Sequence, residues 1–144
     1  DVDAMRLGCG GLSGGGMRTV YLSGIDERIR CAIPSGFMTT WRDFLLHKCY
    51  THTWMIYLSL LPHDLDFPEI IALGAPAATL VLNCNEDKLF TLSEMKRADQ
   101  ITRELFEQCG DAEKYRCSFH PGGHKLDVAM QAEAFAWYDK HLKR

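Results

Sequence analysis

Four short apolar runs stand out along the chain, each bounded by glycine, proline or charge: Met5–Cys9, Ile29–Pro34, Ala77–Cys84 and the weaker Lys114–Phe119. Runs of this length and punctuation predict strands, and Ala77–Cys84, apolar almost throughout, predicts one buried on both faces. Between the runs the spacing changes to threes and fours. Met17–Leu22 reads as the first turns of a helix stopping at Gly24. Leu92, Met95, Ala98, Ile101 and Leu105 mark one helical face, with Thr91 and Glu94 spaced as a capping box and Gly110 as the stop. After a cap at Asp127, a second stripe runs through Met130, Ala134, Trp137, Tyr138 and His141. Strands alternating with helices predict an α/β fold of about four parallel strands, flanked by helices and joined by right-handed crossovers.

The stretch from about residue 36 to 76 breaks this rhythm. It carries Phe37, Trp41, Phe44, Tyr50, Trp54, Tyr57 and Phe67 without alternation. Trp41–Tyr50 and Thr53–Leu61 read as short helices, and Asp66 followed by Pro68 reads as the start of a third, closed by Gly74. We read the stretch as a helical, aromatic-rich insertion. Its rings are either core or the lining of a substrate pocket, since both use the same residue types.

Composition narrows the function classes. The chain has 144 residues, one domain's worth, with a net charge of −3 and both signs dispersed. Nothing in that pattern suggests a nucleic-acid groove or a membrane surface. The six cysteines form no C-x-x-C pair and read as unpaired thiols, the state a reducing, cytoplasmic compartment favours.

The candidate chemistry begins at Gly11-Leu12-Ser13-Gly14-Gly15-Gly16, a G-x-S-x-G sequence between the first strand and the first helix. In that context the serine sits on a sharp turn with positive φ, and Gly11 and Gly15 are expected to relieve crowding around it. The Gly14 amide, at a helix N-terminus, is one natural oxyanion donor. A serine hydroxyl needs a base, and the base a carboxylate to orient it. Parallel strands deliver such residues from their C-terminal ends to one edge. Glu86 and Asp87 follow the third strand; His120 and His124 follow the fourth. The order serine, acid, histidine is the one this elbow accompanies. His124, beyond the Pro121-Gly122-Gly123 turn, has more freedom to reach Ser13 than His120 has.

These residues carry a resemblance. Gly11–Gly16, Asp26-Glu27-Arg28-Ile29, Asn85–Phe90 and Pro121–His124 resemble the C-terminal half of an α/β-hydrolase, in the acetyl xylan esterase-like and dienelactone hydrolase-like branch. The resemblance implies Ser13 as nucleophile, Asp87 as acid and His124 as base. It also implies that the strands are the fifth to eighth of an eight-stranded sheet, in an apparently truncated single domain over 1–144. Two departures stand out. Dienelactone hydrolases proper carry cysteine where this chain has Ser13, and the loop that would supply a second oxyanion donor is absent from the sequence.

The expected function is cleavage of a small carboxylic ester through an acyl-enzyme, with no cofactor. The alternatives are a prolyl oligopeptidase-type peptidase, whose usual aromatic residue after the serine is here Gly14, and an inactive fragment with half an oxyanion hole. The expected partners are the ester and, at the open edge of the first strand, the missing half of the domain or a second copy. His47, Cys49, His52 and His63 are metal-ligand types without metal-ligand spacing, and on a helix His47 and His52 would point about 140° apart. No metal site is expected.

Overall fold

The computed structural model describes residues 2–51, 58 and 60–143. Four parallel strands form one sheet in chain order, β1 (Leu7–Leu12), β2 (Ile29–Ser35), β3 (Ala78–Cys84) and β4 (Tyr115–His120). The crossovers are α1 (Gly14–Ile25), the irregular segment that begins at α2 (Trp41–Asp43) and includes α3 (Leu61–Asp64) and α4 (Phe67–Ala72), and α5 (Leu92–Gln108). After β4 comes α6 (Val128–Leu142).

Every residue of β3 is buried, as its apolar run requires of a central strand. Val81 joins a core formed with α1, α4 and α5, where Met17, Val20, Ile70, Met95 and Phe106 meet. Leu80, Leu82 and Cys84 face the other way, into a smaller core with Met130 and Trp137 of α6. Asp127 caps α6, accepting from the Met130 N–H at 3.0 Å. By contrast β1, at the sheet edge, alternates between half-buried and exposed residues.

Several local expectations are corrected. The first strand begins at Leu7, two residues late: Asp3 ties down Met5 N and Arg6 Nε, and Met5 lies in a turn. The strand then runs on through Gly10 and Gly11, in register with Ile33 and Pro34. Gly24 lies inside α1, not at a left-handed end. A Cβ there would come within 2.2 Å of the Ile70 carbonyl, and one at Gly74 within 2.3 Å of the Ser23 carbonyl. Both glycines therefore let α1 and α4 approach backbone to backbone. Thr91 starts α5 without a side-chain cap: the Glu94 N–H donates to the Thr91 carbonyl at 3.0 Å, and the Glu94 carboxylate accepts from the Thr40 hydroxyl at 2.5 Å. The capping box forms at Asp66–Glu69 of α4.

Within the insertion, Trp41–Tyr50 is not one α-helix. α2 passes into a π-helical turn (Phe44–Lys48) and a 3₁₀ turn (Cys49–Thr51). Phe37, Phe44 and Phe67 are almost fully buried and Trp41 nearly so, which makes these four rings core. Most of the expected helix Thr53–Leu61, with Trp54 and Tyr57, lies outside the described residues, as does His52.

Candidate active site

Ser13 separates β1 from α1 and holds φ 59°, ψ −116°, one of two non-glycine residues with positive φ among those described. Such a conformation persists only when its surroundings over-determine it. Here the Ser13 N–H donates to the Ser35 carbonyl at 2.8 Å, and the Ser13 carbonyl accepts from Met17 N at 2.9 Å. The elbow is tight because two glycines make it so. A Cβ on Gly11 would lie 2.9 Å from the Gly15 backbone, and one on Gly16 only 2.6 Å from the Ser35 carbonyl oxygen. The expected role of Gly15 is corrected: a Cβ there meets no atom within 4 Å. The second glycine that the turn needs is Gly16, because the helix turns that position toward β2.

α1 opens with Gly14, and its first turn carries no acidic residue. The first N–H groups of a helix have no intrahelical acceptor, and the helix dipole adds partial positive charge there. The elbow thus presents a hydroxyl beside donors suited to an oxyanion.

The other strand ends converge on the same edge. Gly36 N donates to the Leu82 carbonyl at 2.7 Å, and Asn85 N to the His120 carbonyl at 2.9 Å, which extends the ladders past the strands. Asp87 follows, its side chain only 1% exposed. Its Oδ1 accepts from Leu89 N at 3.0 Å, and its Oδ2 lies 2.7 Å from His124 Nδ1. A carboxylate accepts, so Nδ1 is the donor of this pair, and in the neutral ring Nε2, across from it, keeps a lone pair. The imidazole stands over the end of β2. A Cβ built on Gly36, which has φ +58°, would lie 3.0 Å from His124 Cε1 and 3.1 Å from Leu12 Cδ1. His124 therefore occupies the same corner as the residue directly before Ser13.

The rival residues go elsewhere. Glu86 N donates to the Gly122 carbonyl at 3.0 Å, and Glu86 Oε1 accepts from Gly122 N at 3.3 Å, which fastens the acid loop to the histidine loop. His120 lies on β4 with Nε2 2.8 Å from Glu133 of α6. Glu133 also accepts from Ser118 Oγ at 2.5 Å and pairs with Arg116 at 3.2 Å. This cluster joins β4 to α6. Sequence reading missed it because Glu133 sits mid-helix with nothing local to mark it. His47 and His63 line two different hollows, and no group of three metal-ligand side chains gathers among the described residues. The larger hollow, about 600 Å³ and lined by Trp41, Leu45, Leu58 and Pro62, has none of Ser13, Asp87 or His124 in its wall.

No protein-family model matches the chain, and neither does any curated protein. Solved structures do. A carbohydrate esterase family 15 glucuronoyl esterase from Caldicellulosiruptor kristjansonii superposes with a TM-score of 0.77 at 19% identity, over 96% of this chain and 43% of that one. A glucuronoyl esterase from Sporotrichum thermophile gives 0.77 at 17%, over 97% and 44%. A methylesterase gives 0.75 at 17%, over 97% and 30%. The chain has the α/β-hydrolase fold, in the form of its C-terminal four strands, and spans less than half the length of these structures.

Proposed function

We propose that the chain carries the nucleophile, base and acid of a serine carboxylesterase. The observation that carries this reading is the 2.7 Å pair of His124 Nδ1 and buried Asp87, packed against Gly36 beside a serine on a strained elbow. In this reading His124 Nε2 takes the Ser13 proton as Oγ attacks the ester carbonyl carbon. The Gly14 N–H receives part of the charge on the carbonyl oxygen. The intermediate collapses, the C–O bond to the alcohol breaks, and His124 returns the proton to the departing oxygen. Water, deprotonated by the same nitrogen, then releases the acid and restores Ser13. Asp87 keeps the imidazole in the required tautomer and stabilises its charged form.

The esterase names of the structural neighbours support an ester over a peptide, and the glucuronoyl esterases among them favour an ester of a uronic acid. The half-exposed edge strand β1 and the greater length of those neighbours support a further strand pairing there. The test is turnover by the naturally expressed protein on a methyl glucuronate ester, an activated acetate and a small peptide. Ser13→Ala and His124→Ala are each expected to abolish ester turnover, with the double variant little worse, because such residues act as a unit. Peptide cleavage without ester cleavage, or losses that add, would reject the assignment.

A further inference from the structure

We propose that Phe90 is a positioning residue for His124, and that through it the π-helical turn of the insertion sets the direction of the base. The inference rests on the reading of His124 as the base. The hydrogen bond from Nδ1 to Asp87 constrains one atom of the ring, and within the tolerance of that one bond small changes in χ1 and χ2 still re-aim Nε2. Something else must decide where Nε2 points. Phe90 lies three residues beyond Asp87 and directly follows Leu89, whose N–H donates to Asp87 Oδ1 at 3.0 Å. Phe90 is 3% exposed, and its ring centroid lies 6.4 Å from that of His124 at a 41° tilt. Gly36 leaves room for the same imidazole, since a Cβ there would lie 3.0 Å from Cε1.

Phe90 is itself immobilised. It stacks on Phe44 at 5.6 Å and 23°, and meets Phe37 edge-on at 5.9 Å and 88°. Contacts of this geometry add to what burial alone provides. Phe44 opens the π-helical turn Phe44–Lys48, and Lys48 at its other end donates Nζ to the Lys88 carbonyl at 3.0 Å. Both ends of that turn thus grip the loop that carries Asp87 and Phe90. Phe44 thus reaches the base through Phe90, by packing.

The test uses the naturally expressed protein with Phe90→Ala, Phe90→Leu and Phe44→Leu. Two readouts apply: steady-state kinetics on an activated ester, and the downfield Nδ1–H proton resonance of His124 in ¹⁵N-histidine-labelled protein. Misplacing a reacting group by about 1 Å costs on the order of 100-fold. Phe90→Ala is therefore expected to lower kcat about 10- to 100-fold with KM within about twofold, and to broaden or erase the resonance. Phe90→Leu, which keeps an apolar wall, should recover most of both. Phe44→Leu leaves Phe90 in place, and should lower kcat several-fold and broaden the resonance; it decides the matter if Phe90→Ala does not fold. The proposal is overturned if kcat and the resonance are unchanged in the alanine variant, or in Phe44→Leu. It is equally overturned if losses in all three variants follow only the unfolded fraction seen by circular dichroism. Absence of ester turnover in the wild type would remove the esterase reading, while the resonance comparison would still decide the role of Phe90.

Discussion

The two glycines after Gly14 should respond in opposite ways to the same added methyl group. Both lie in the first turn of α1, where alanine is favoured over glycine by up to about 1 kcal/mol. At Gly15 the new Cβ meets nothing within 4 Å, so Gly15→Ala should be neutral or gain part of that amount. At Gly16 it would lie 2.6 Å from the Ser35 carbonyl oxygen and 3.1 Å from Phe37 Cβ. Relieving that clash requires moving backbone, with an overpacking cost of roughly 1–3 kcal/mol. The displaced carbonyl is also the one that accepts from Ser13 N at 2.8 Å, and weakening that bond costs about another 1 kcal/mol. Net of the helix preference, Gly16→Ala should destabilise by about 2 kcal/mol, or roughly 6 °C in Tm for a domain of this size. Urea midpoints of the two variants, measured side by side, provide the assay. If Gly15→Ala is as damaging as Gly16→Ala, the packing described for the elbow is wrong. If Gly16→Ala is silent, the elbow does not rest on Ser35.

Further outcomes follow from the same geometry. Asp87→Asn keeps the shape but lets the amide donate toward His124 and favours the wrong tautomer, so ester turnover should fall on the order of 10³- to 10⁴-fold with a circular dichroism spectrum like the wild type; near-normal turnover would remove Asp87 from the mechanism. A thiol reagent at pH 8 should modify exposed Cys109 first and leave buried Cys31 and Cys84 untouched until denaturation, since burial raises both thiols, Cys31 to about 12; modification of Cys31 or Cys84 in the folded protein would contradict this. Burial also raises the Tyr21 phenol to about 12 and holds the Tyr115 phenol well above its usual range. The folded state therefore keeps protons that the unfolded chain releases near pH 9–10. That stability is complete below those values and drains away as the pH rises toward about 12, so the urea midpoint should fall steadily between pH 9 and 11; a flat midpoint would show that these groups do not stay protonated on folding.

Much of the fold is written locally. The buried run before Asn85, the punctuated strands and the capped helix after Asp127 need only their own neighbours to form, and their alternation leaves a parallel sheet in chain order as the simple solution. Serine, acid and histidine each follow a strand, so the sheet delivers them to one edge, and Asp87 and His124 do meet there. What was not legible depends on contacts between distant segments. Nothing near Gly24 or Gly74 marks two helices touching backbone to backbone. The Thr91–Glu94 pattern has the spacing of a capping box, yet the Glu94 carboxylate turns to Thr40, a residue 54 positions away. Gly15 and Gly16 cannot be ranked until the helix direction over Ser35 is known. The ring stack from Phe44 through Phe90 to His124 joins three segments and leaves no trace in any one of them.

The most direct test of the central claim is covalent capture of Ser13. Folded protein is treated with a fluorophosphonate, and the adduct is located by peptide mass mapping. One adduct is expected, on Ser13, absent after denaturation before labelling and slowed at least about 100-fold in His124→Ala. An adduct on another serine with Ser13 unmodified, or none on protein shown to be folded, would contradict it.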